Sequence, residues 1–287
     1  MTDWIRRWVE ESPFGRALGV RAEAVDGEAA RLSLVFRQDN SNGDQALHGG
    51  VAASMIDLAS QAVARGALGA ESGPWHTVAI QVGYLAAALG ESITSEARLL
   101  RRGKELAYAE VVVTGESGRE VARGLTTVRG RFGDPAAPLP DAQGDAGGTD
   151  RGAMGPFIHK VPFHGKLGIR AEHMAGGVAR LVMPFQEENA DASGGVHEGA
   201  ILGLLDTTGA MAGWAETGPG RFKASTPGIQ ARFLAPPDAA DLVGFGRVRL
   251  RDREMLFSEV EIARADDRRL VAQGTVNYRI ITPEAAR

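Results

Sequence analysis

Apolar and polar residues alternate over Leu32, Leu34 and Phe36, and again over Leu181, Met183 and Phe185. That period of two predicts a half-buried strand in each place. A loop rich in Gly, Asn and Asp follows each run, Asp39 to Ala46 and Glu188 to Val196. Next come long, mostly apolar segments, His48–Leu68 and His197–Glu216, rich in Ala, Leu, Ile and Met. They are too long for strands and predict largely buried helices. Strands are predicted again over Thr77–Ala86, Ser92–Leu100, Glu105–Val113 and Val121–Arg129, with counterparts in the second half. A central helix wrapped by a mainly antiparallel sheet is an α+β arrangement.

The two halves share a register. Phe14, Leu18, Gly19 and Arg21 recur 149 positions later as Phe163, Leu167, Gly168 and Arg170. His48, Asp57, Thr77 and Gln81 recur as His197, Asp206, Thr226 and Gln230. From Val121 and Gly124 the offset grows by one, to Val271 and Gly274, as one extra loop residue would require. A period this long makes each copy a whole domain rather than a solenoid repeat. The expected organisation is an N-terminal domain over 1–132, a linker over 133–156 and a C-terminal domain over 157–287. The linker, Gly133 to Pro156, is rich in Pro, Gly, Ala and Asp and predicts flexible chain. Before Phe14, Trp4, Ile5, Trp8 and Val9 mark a short amphipathic helix expected to pack on the domain body or on another chain.

Composition narrows the function classes. The 287 residues carry a net charge of -4, which provides no bulk basic field for nucleic acid or an anionic membrane surface. No apolar run approaches the roughly 20 residues of a membrane span, and the first residues lack the apolar stretch of a signal peptide. The chain contains no cysteine, so disulfides, thiolate nucleophiles and cysteine-ligated zinc are excluded together. A cytoplasmic, non-redox protein is expected.

Each predicted helix opens on a histidine, His48-Gly49-Gly50 and His197-Glu198-Gly199. A helix start offers unpaired N–H groups and a positive dipole end, suited to a carbonyl oxygen gaining charge. Nine residues on, each helix carries one carboxylate among apolar neighbours, Asp57 and Asp206. Such a group is costly unless paired or hydrated. The bland readings are a carboxylate on a solvated edge and a histidine that only caps its helix, and the repeat of both in register weighs against them. Nine helical residues span about 13.5 Å and turn through roughly 900°, leaving His48 and Asp57 on opposite faces. A working site therefore needs the helix start of one copy beside the mid-helix Asp of the other. His76, His159, His164 and His173 form no metal-ligand spacing and read as surface or structural. Arg98, Arg101, Arg102 and Lys104, like Arg247, Arg249, Arg251 and Arg253, cluster about a predicted strand turn and read either as phosphate contacts or as a solvated hairpin tip.

The run from Asn42 through His48-Gly49-Gly50-Val51 to Asp57, followed by Thr77 and the strand to Leu85, resembles the PaaI-like hotdog thioesterases of the 4-hydroxybenzoyl-CoA thioesterase superfamily. The resemblance covers about Phe14–Phe132 and Phe157–Ile281 and implies a tandem hotdog that hydrolyses acyl-CoA without metal or organic cofactor. It implies a general base or nucleophile in Asp, and an oxyanion-hole N–H from the residue after His. Asn and His would position the thioester or water, and Thr would support water. One composite site would use Asn42, His48 and Gly49 with Asp206 and Thr226. The other would use His197 and Glu198 with Asp57 and Thr77. Asp191 in place of Asn and Glu198 in place of Gly depart from the pattern, so the site of Asp206 is expected to be the stronger. Arg102, Lys104, Arg251 and Arg253 are the candidates for CoA phosphates, and a homodimer of the two-domain chain, a pseudo-tetramer, is the expected assembly. A hotdog enoyl-thioester hydratase and a non-catalytic acyl-CoA-binding hotdog protein are the competing readings. No Gly-x-Ser-x-Gly elbow supports a serine hydrolase.

Overall fold

A computed structural model describes residues 3–131, 133, 137–236 and 238–282; the expected domain limits at Met1, Phe132 and Arg287 lie outside them. The first half runs α1 (Asp3–Glu11), α2 (Pro13–Leu18), β1 (Val20–Val25), β2 (Ala29–Leu34), α3 (Gly49–Leu68), β3 (Trp75–Tyr84), β4 (Ile93–Arg102), β5 (Leu106–Gly115) and β6 (Glu120–Gly130). The second runs α4 (Pro162–Lys166), β7 (Arg170–Ala175), β8 (Val178–Met183), α5 (Glu198–Thr217), β9 (Lys223–Phe233), β10 (Leu242–Asp252), β11 (Met255–Arg264) and β12 (Leu270–Ile281). The long helices α3 and α5 are apolar on nearly every face and buried over most of their length, as an all-round apolar helix must be. β5 alternates half-buried and buried positions along its whole length, so one face meets the helices.

Twelve antiparallel strands form one sheet in the order β1-β2-β4-β5-β6-β3-β9-β12-β11-β10-β8-β7. The halves join through β3 and β9, where Gln81 pairs with Gln230, its own repeat equivalent. A pseudo-twofold axis therefore passes between these two glutamines. α3 and α5 pack on each other beneath that seam, and small residues let their starts cross closely. A Cβ on Gly50 would stand 2.9 Å from the Gly203 Cα, and the Ser54 hydroxyl donates to both the Gly50 and Gly199 carbonyls.

Three sequence expectations shift. Phe36 lies beyond the end of β2, where its N–H faces the Ser92 hydroxyl instead of a ladder carbonyl. β1 and β7 add to the expected strands, since a bulge between Ala22 and Ala24, and between Ala171 and His173, breaks their alternation. The stretch around Pro140–Asp145, predicted to be flexible, is strapped along the second half. Pro140 and Ala142 exchange backbone hydrogen bonds with Leu270 and Arg268, and Asp145 forms a buried bidentate pair with Arg180. The α1 helix packs on the body, with Ile5 and Val9 buried one turn apart. No helix among the described residues is long and apolar enough to cross a membrane.

Candidate active site

His48 is the N-cap of α3, and its Nδ1 accepts the Gly50 N–H at 2.9 Å. His197 does the same for α5 through the Gly199 N–H, also at 2.9 Å. An Nδ1 that accepts leaves the proton of a neutral imidazole on Nε2. In the first copy that Nε2–H points at His164 Nε2, 2.9 Å away. His164 must then carry its own proton on Nδ1, which donates to the Ile158 carbonyl. Burial, then the neighbouring His164, pushes His48 well below the ordinary histidine range. Burial likewise takes His164 down to about 4. Both rings are neutral, and both nitrogens of His48 are committed. The side chain holds the helix start, and so the Gly49 N–H, in place. The buried Asn40 braces the same turn, accepting the His48 N–H on its backbone carbonyl while its amide donates to Leu18.

With the Gly50 N–H given to His48 and the Val51 N–H to the His48 carbonyl, Gly49 carries the remaining donor of the first turn. Asp206 comes to this point from the other copy. Its Oδ1 accepts from the Thr226 hydroxyl at 2.8 Å, and a Cβ on Gly49 would stand 3.0 Å from its Oδ2. Tyr84 closes a third side, its hydroxyl donating to the Gly49 carbonyl at 3.1 Å. Burial raises the Asp206 carboxyl to about 6, the Thr226 hydrogen bond working the other way. Thr226, Gly49 and Tyr84 are only half-buried, so this constellation reaches solvent. Gly49→Ala is expected to push Asp206 aside and to lower the turnover number about tenfold or more, because ångström-scale misplacement of reacting groups is costly. The melting temperature should stay near wild type, since alanine suits a first helical turn. Unchanged turnover in that variant would remove Gly49 from the site.

The equivalent constellation around Asp57 is closed. Asp57 accepts from Thr77 at 2.6 Å and from Gln61 at 3.3 Å, and Gln61 in turn accepts from Arg65. Asp57 and Thr77 are wholly buried. Glu198, standing where Gly49 stands in the other copy, folds back on the site. Its carboxylate receives His76 Nδ1 at 2.8 Å. Although burial opposes ionisation, the His76 hydrogen bond and charge, His197 and the Glu198 backbone N–H hold this carboxylate at about 2. The Glu198 carboxylate thus lies within 4.8 Å of Asp57, in the place that is open beside Gly49 in the other copy. Burial, then the Glu198 charge, pushes Asp57 up to about 8. The α1 helix covers the outside. Trp8 stacks on His197, Trp4 stacks on Trp75 at 5.3 Å, and the Arg65 guanidinium lies 3.8 Å from the Trp8 ring and 4.6 Å from Trp75. Asp57, His197 and Glu198 place ligand-type atoms within 4.8 Å of one another. The set is ill suited to a cation, because His197 Nε2 bears a proton while Nδ1 accepts the helix N–H, and because the Arg65 charge acts on the same carboxylates.

Other candidate residues fall elsewhere. Asn42 is exposed, and its Oδ1 accepts the Asp44 N–H in an Asx turn; this turn chemistry draws it outward, so it does not join Gly49 and Asp206. Asp191 closes the same kind of turn on Ser193 and Gly195. Arg102 and Lys104 sit exposed at the β4–β5 tip, and Arg251 and Arg253 at the β10–β11 tip. The second tip is the one beside Asp206: Met255 pairs with Arg279, which pairs with Ser225, next to Thr226. His159 is exposed and His173 half-buried, but His76 and His164 are buried inside the two constellations rather than at the surface. Sequence reasoning missed Asn40 and Tyr84 as well. Asn40 had a signal in Asn189, its equivalent in register. Tyr84 had none, since Phe233 replaces it.

The thioesterase superfamily model matches residues 44–122. The medium/long-chain acyl-CoA thioesterase YigI of Escherichia coli is 32% identical over 135 residues, 42% of this chain and 86% of that protein. Acyl-coenzyme A thioesterase 13 of Homo sapiens is 32% identical over 131 residues, 43% of this chain and 89% of that protein. Among solved structures, the tesB protein of Mycobacterium avium subs paratuberculosis superposes with a TM-score of 0.69 at 10% identity, covering 94% of this chain and 100% of that one. A hot dog fold protein of Alicyclobacillus acidocaldarius gives 0.64 at 16% identity, covering 96% and 98%. The chain belongs to the thioesterase superfamily, and its architecture is a tandem hotdog. It is a thioester hydrolase.

Proposed function

We propose that the chain hydrolyses acyl-CoA thioesters at one of its two pseudo-equivalent sites, the one built from Gly49 of the first copy with Asp206 and Thr226 of the second. The observation that carries this reading is the asymmetry at the residue after the capping histidine. Gly49 brings no side chain to its helix start, and half-buried Gly49, Tyr84 and Thr226 leave a way from solvent to the buried Asp206, whereas the Glu198 carboxylate fills the corresponding place, bonded to His76 and within 4.8 Å of Asp57. The named relatives act on acyl-CoA, which supports the substrate class.

In this mechanism the thioester carbonyl oxygen takes the Gly49 N–H at the positive end of α3, where developing charge is favoured. Asp206 removes a proton from water, the oxygen adds to the carbonyl carbon, and the tetrahedral intermediate collapses by breaking the C–S bond. The CoA thiolate leaves and the free acid remains. Thr226 keeps Oδ1 engaged and so aims Oδ2 at the water. His48 takes no part as a base, since its tautomer is fixed. The exposed Arg251 and Arg253 tip, on the same side as Asp206, is placed to meet CoA phosphates.

The test is release of free CoA thiol from a panel of acyl-CoA substrates. Turnover is expected, with kcat/KM falling as pH drops through about 6, because Asp206 works as the carboxylate and is protonated below that value. Absence of hydrolysis with every thioester in the panel would overturn the proposal.

A further inference from the structure

The outer face of the sheet, turned away from α3 and α5, carries a cavity of about 350 Å³ in the second half. Along β9, Ile229, Ala231 and Phe233 are buried toward the core, while Gln230 and Arg232 point the other way and are exposed. The cavity floor runs from these two across β12 and β11 to Arg247 and Arg249 of β10. Its wall is the strap. The Asp145–Arg180 pair fixes that segment, and the Gly144 N–H donates to Glu261 at 3.1 Å.

Three carboxylates line the cavity, and each is engaged. Asp145 is held by Arg180, Glu261 accepts from Gly144, and Glu259 takes the Arg249 guanidinium at 2.6 Å. Arg232 and Arg247 make no hydrogen bond or ion pair among the described residues. The same face of the first half is neutralised. Arg98, the counterpart of Arg247, pairs with Glu110 at 3.3 Å, and Arg123 pairs with Glu110 at 3.2 Å and with Glu120 at 2.9 Å. In the second half Gln273 stands for Arg123, and its partner across the ladder, Gly83 in the first half, has become Arg232. A guanidinium has thus moved one strand over, away from the glutamate that would balance it. Two unpaired cations are left on one walled cavity.

We infer that this cavity binds a small molecule carrying two anionic groups, phosphate or carboxylate, one met by Arg232 and one by Arg247. Guanidinium matches both kinds of oxyanion. β9 and β10 lie three strands apart in the sheet, about 14 Å at the usual strand spacing. Two separated anionic groups suit that span, whereas a single one would serve a single arginine. Gln230, Gln273 and Thr275 lie between and offer amides and a hydroxyl to a polar spacer. The strap is fixed before any ligand arrives, so little ordering opposes binding. The cavity is on the opposite face of the sheet from Asp206, and the inference does not depend on where hydrolysis occurs.

The experiment is isothermal titration calorimetry of the full chain with a hexose bisphosphate, with citrate and with inorganic phosphate. It is run on the wild type, Arg232→Gln and Arg247→Gln. The bisphosphate or citrate is expected to bind about tenfold or more tightly than inorganic phosphate, and the better of the two identifies phosphate or carboxylate as the natural group. Each substitution is expected to weaken that binding by about tenfold or more, the usual worth of a hydrogen bond to a charged group. Both variants should melt near wild type, because neither guanidinium has a partner to lose. Undiminished binding in both variants, equal affinity for inorganic phosphate, or no binding of any probe overturns the proposal.

Discussion

Replacing Asp206 by Asn is expected to reduce thioester hydrolysis by about two to four orders of magnitude, the usual contribution of a positioned general base, while Asp57→Asn leaves turnover near wild type. Asparagine is the informative replacement because its carbonyl oxygen can still accept from Thr226, which bonds Oδ1 at 2.8 Å. Packing and hydrogen bonding survive, and only the basic oxygen is lost. Asp57 carries the same side chain in the same register, yet it is wholly buried and held protonated at neutral pH by burial and by Glu198. A protonated carboxyl cannot take a proton from water. The Glu198 carboxylate also stands where a substrate carbonyl would have to enter, bonded to His76 and within 4.8 Å of Asp57. The comparison is read as release of CoA thiol from the two variants side by side. Loss in Asp57→Asn with retention in Asp206→Asn would invert the assignment, and equal partial losses would mean that both sites turn over.

The fold was legible because the chain states it twice. α3 and α5 begin and end 149 positions apart, at Gly49 and Glu198 and at Leu68 and Thr217, and a repeated apolar run of that length leaves little choice but a buried helix. The two carboxylates were legible for a related reason, since each stood alone in an apolar helix. What escaped the sequence were features that the second copy does not repeat. His164 reaches His48 across 116 residues, and glycine, Gly15, stands at its equivalent position. His76, which clamps Glu198, is matched by Ser225. Glu198 itself reads in the sequence only as a departure from the family pattern, whereas its side chain turns inward to the buried His76. Asn42 fits the motif spacing, but loop curvature is set locally, and an Asx turn directs it to solvent while Asn40 points inward.

On the proposed reading, repeat symmetry supplies one scaffold and divergence gives the two halves different work. Trp4, Trp8, Arg65 and Trp75 form a stacked column that docks α1 over the Asp57 constellation. Their equivalents are Ala153, Phe157, Trp214 and Ala224, and of these Phe157 stands exposed rather than lying over Trp214. The closed copy positions Gly199 and the helix crossing, against which the open copy aligns Gly49 with Asp206. A second copy that no longer turns over would still be needed for the first to do so.

Stability should report the same division. Asp57→Asn is expected to stabilise the fold, and by a margin that widens as pH rises from about 4 to about 8. In the unfolded chain this carboxyl ionises near 3.8, whereas the folded chain keeps its proton up to about 8. Between those values the folded state binds one proton more than the unfolded state, so stability falls with each unit of rising pH by about 1.4 kcal/mol from this group alone. Asparagine removes that dependence and retains an oxygen for the Thr77 hydroxyl. The gain should reach the order of a few kcal/mol at mildly alkaline pH, or roughly 2–4 °C in melting temperature for each kcal/mol. The depressed values of His48, His164 and His197 drive stability the opposite way below about 6.5, but they act in both proteins, so the difference between wild type and variant isolates Asp57. Thermal melts of the two at a series of pH values from 4 to above 8 provide the check. A difference that stays constant across that range would mean that Asp57 is ionised in the folded chain, and the closed constellation would then have to be read as a charged site awaiting its substrate.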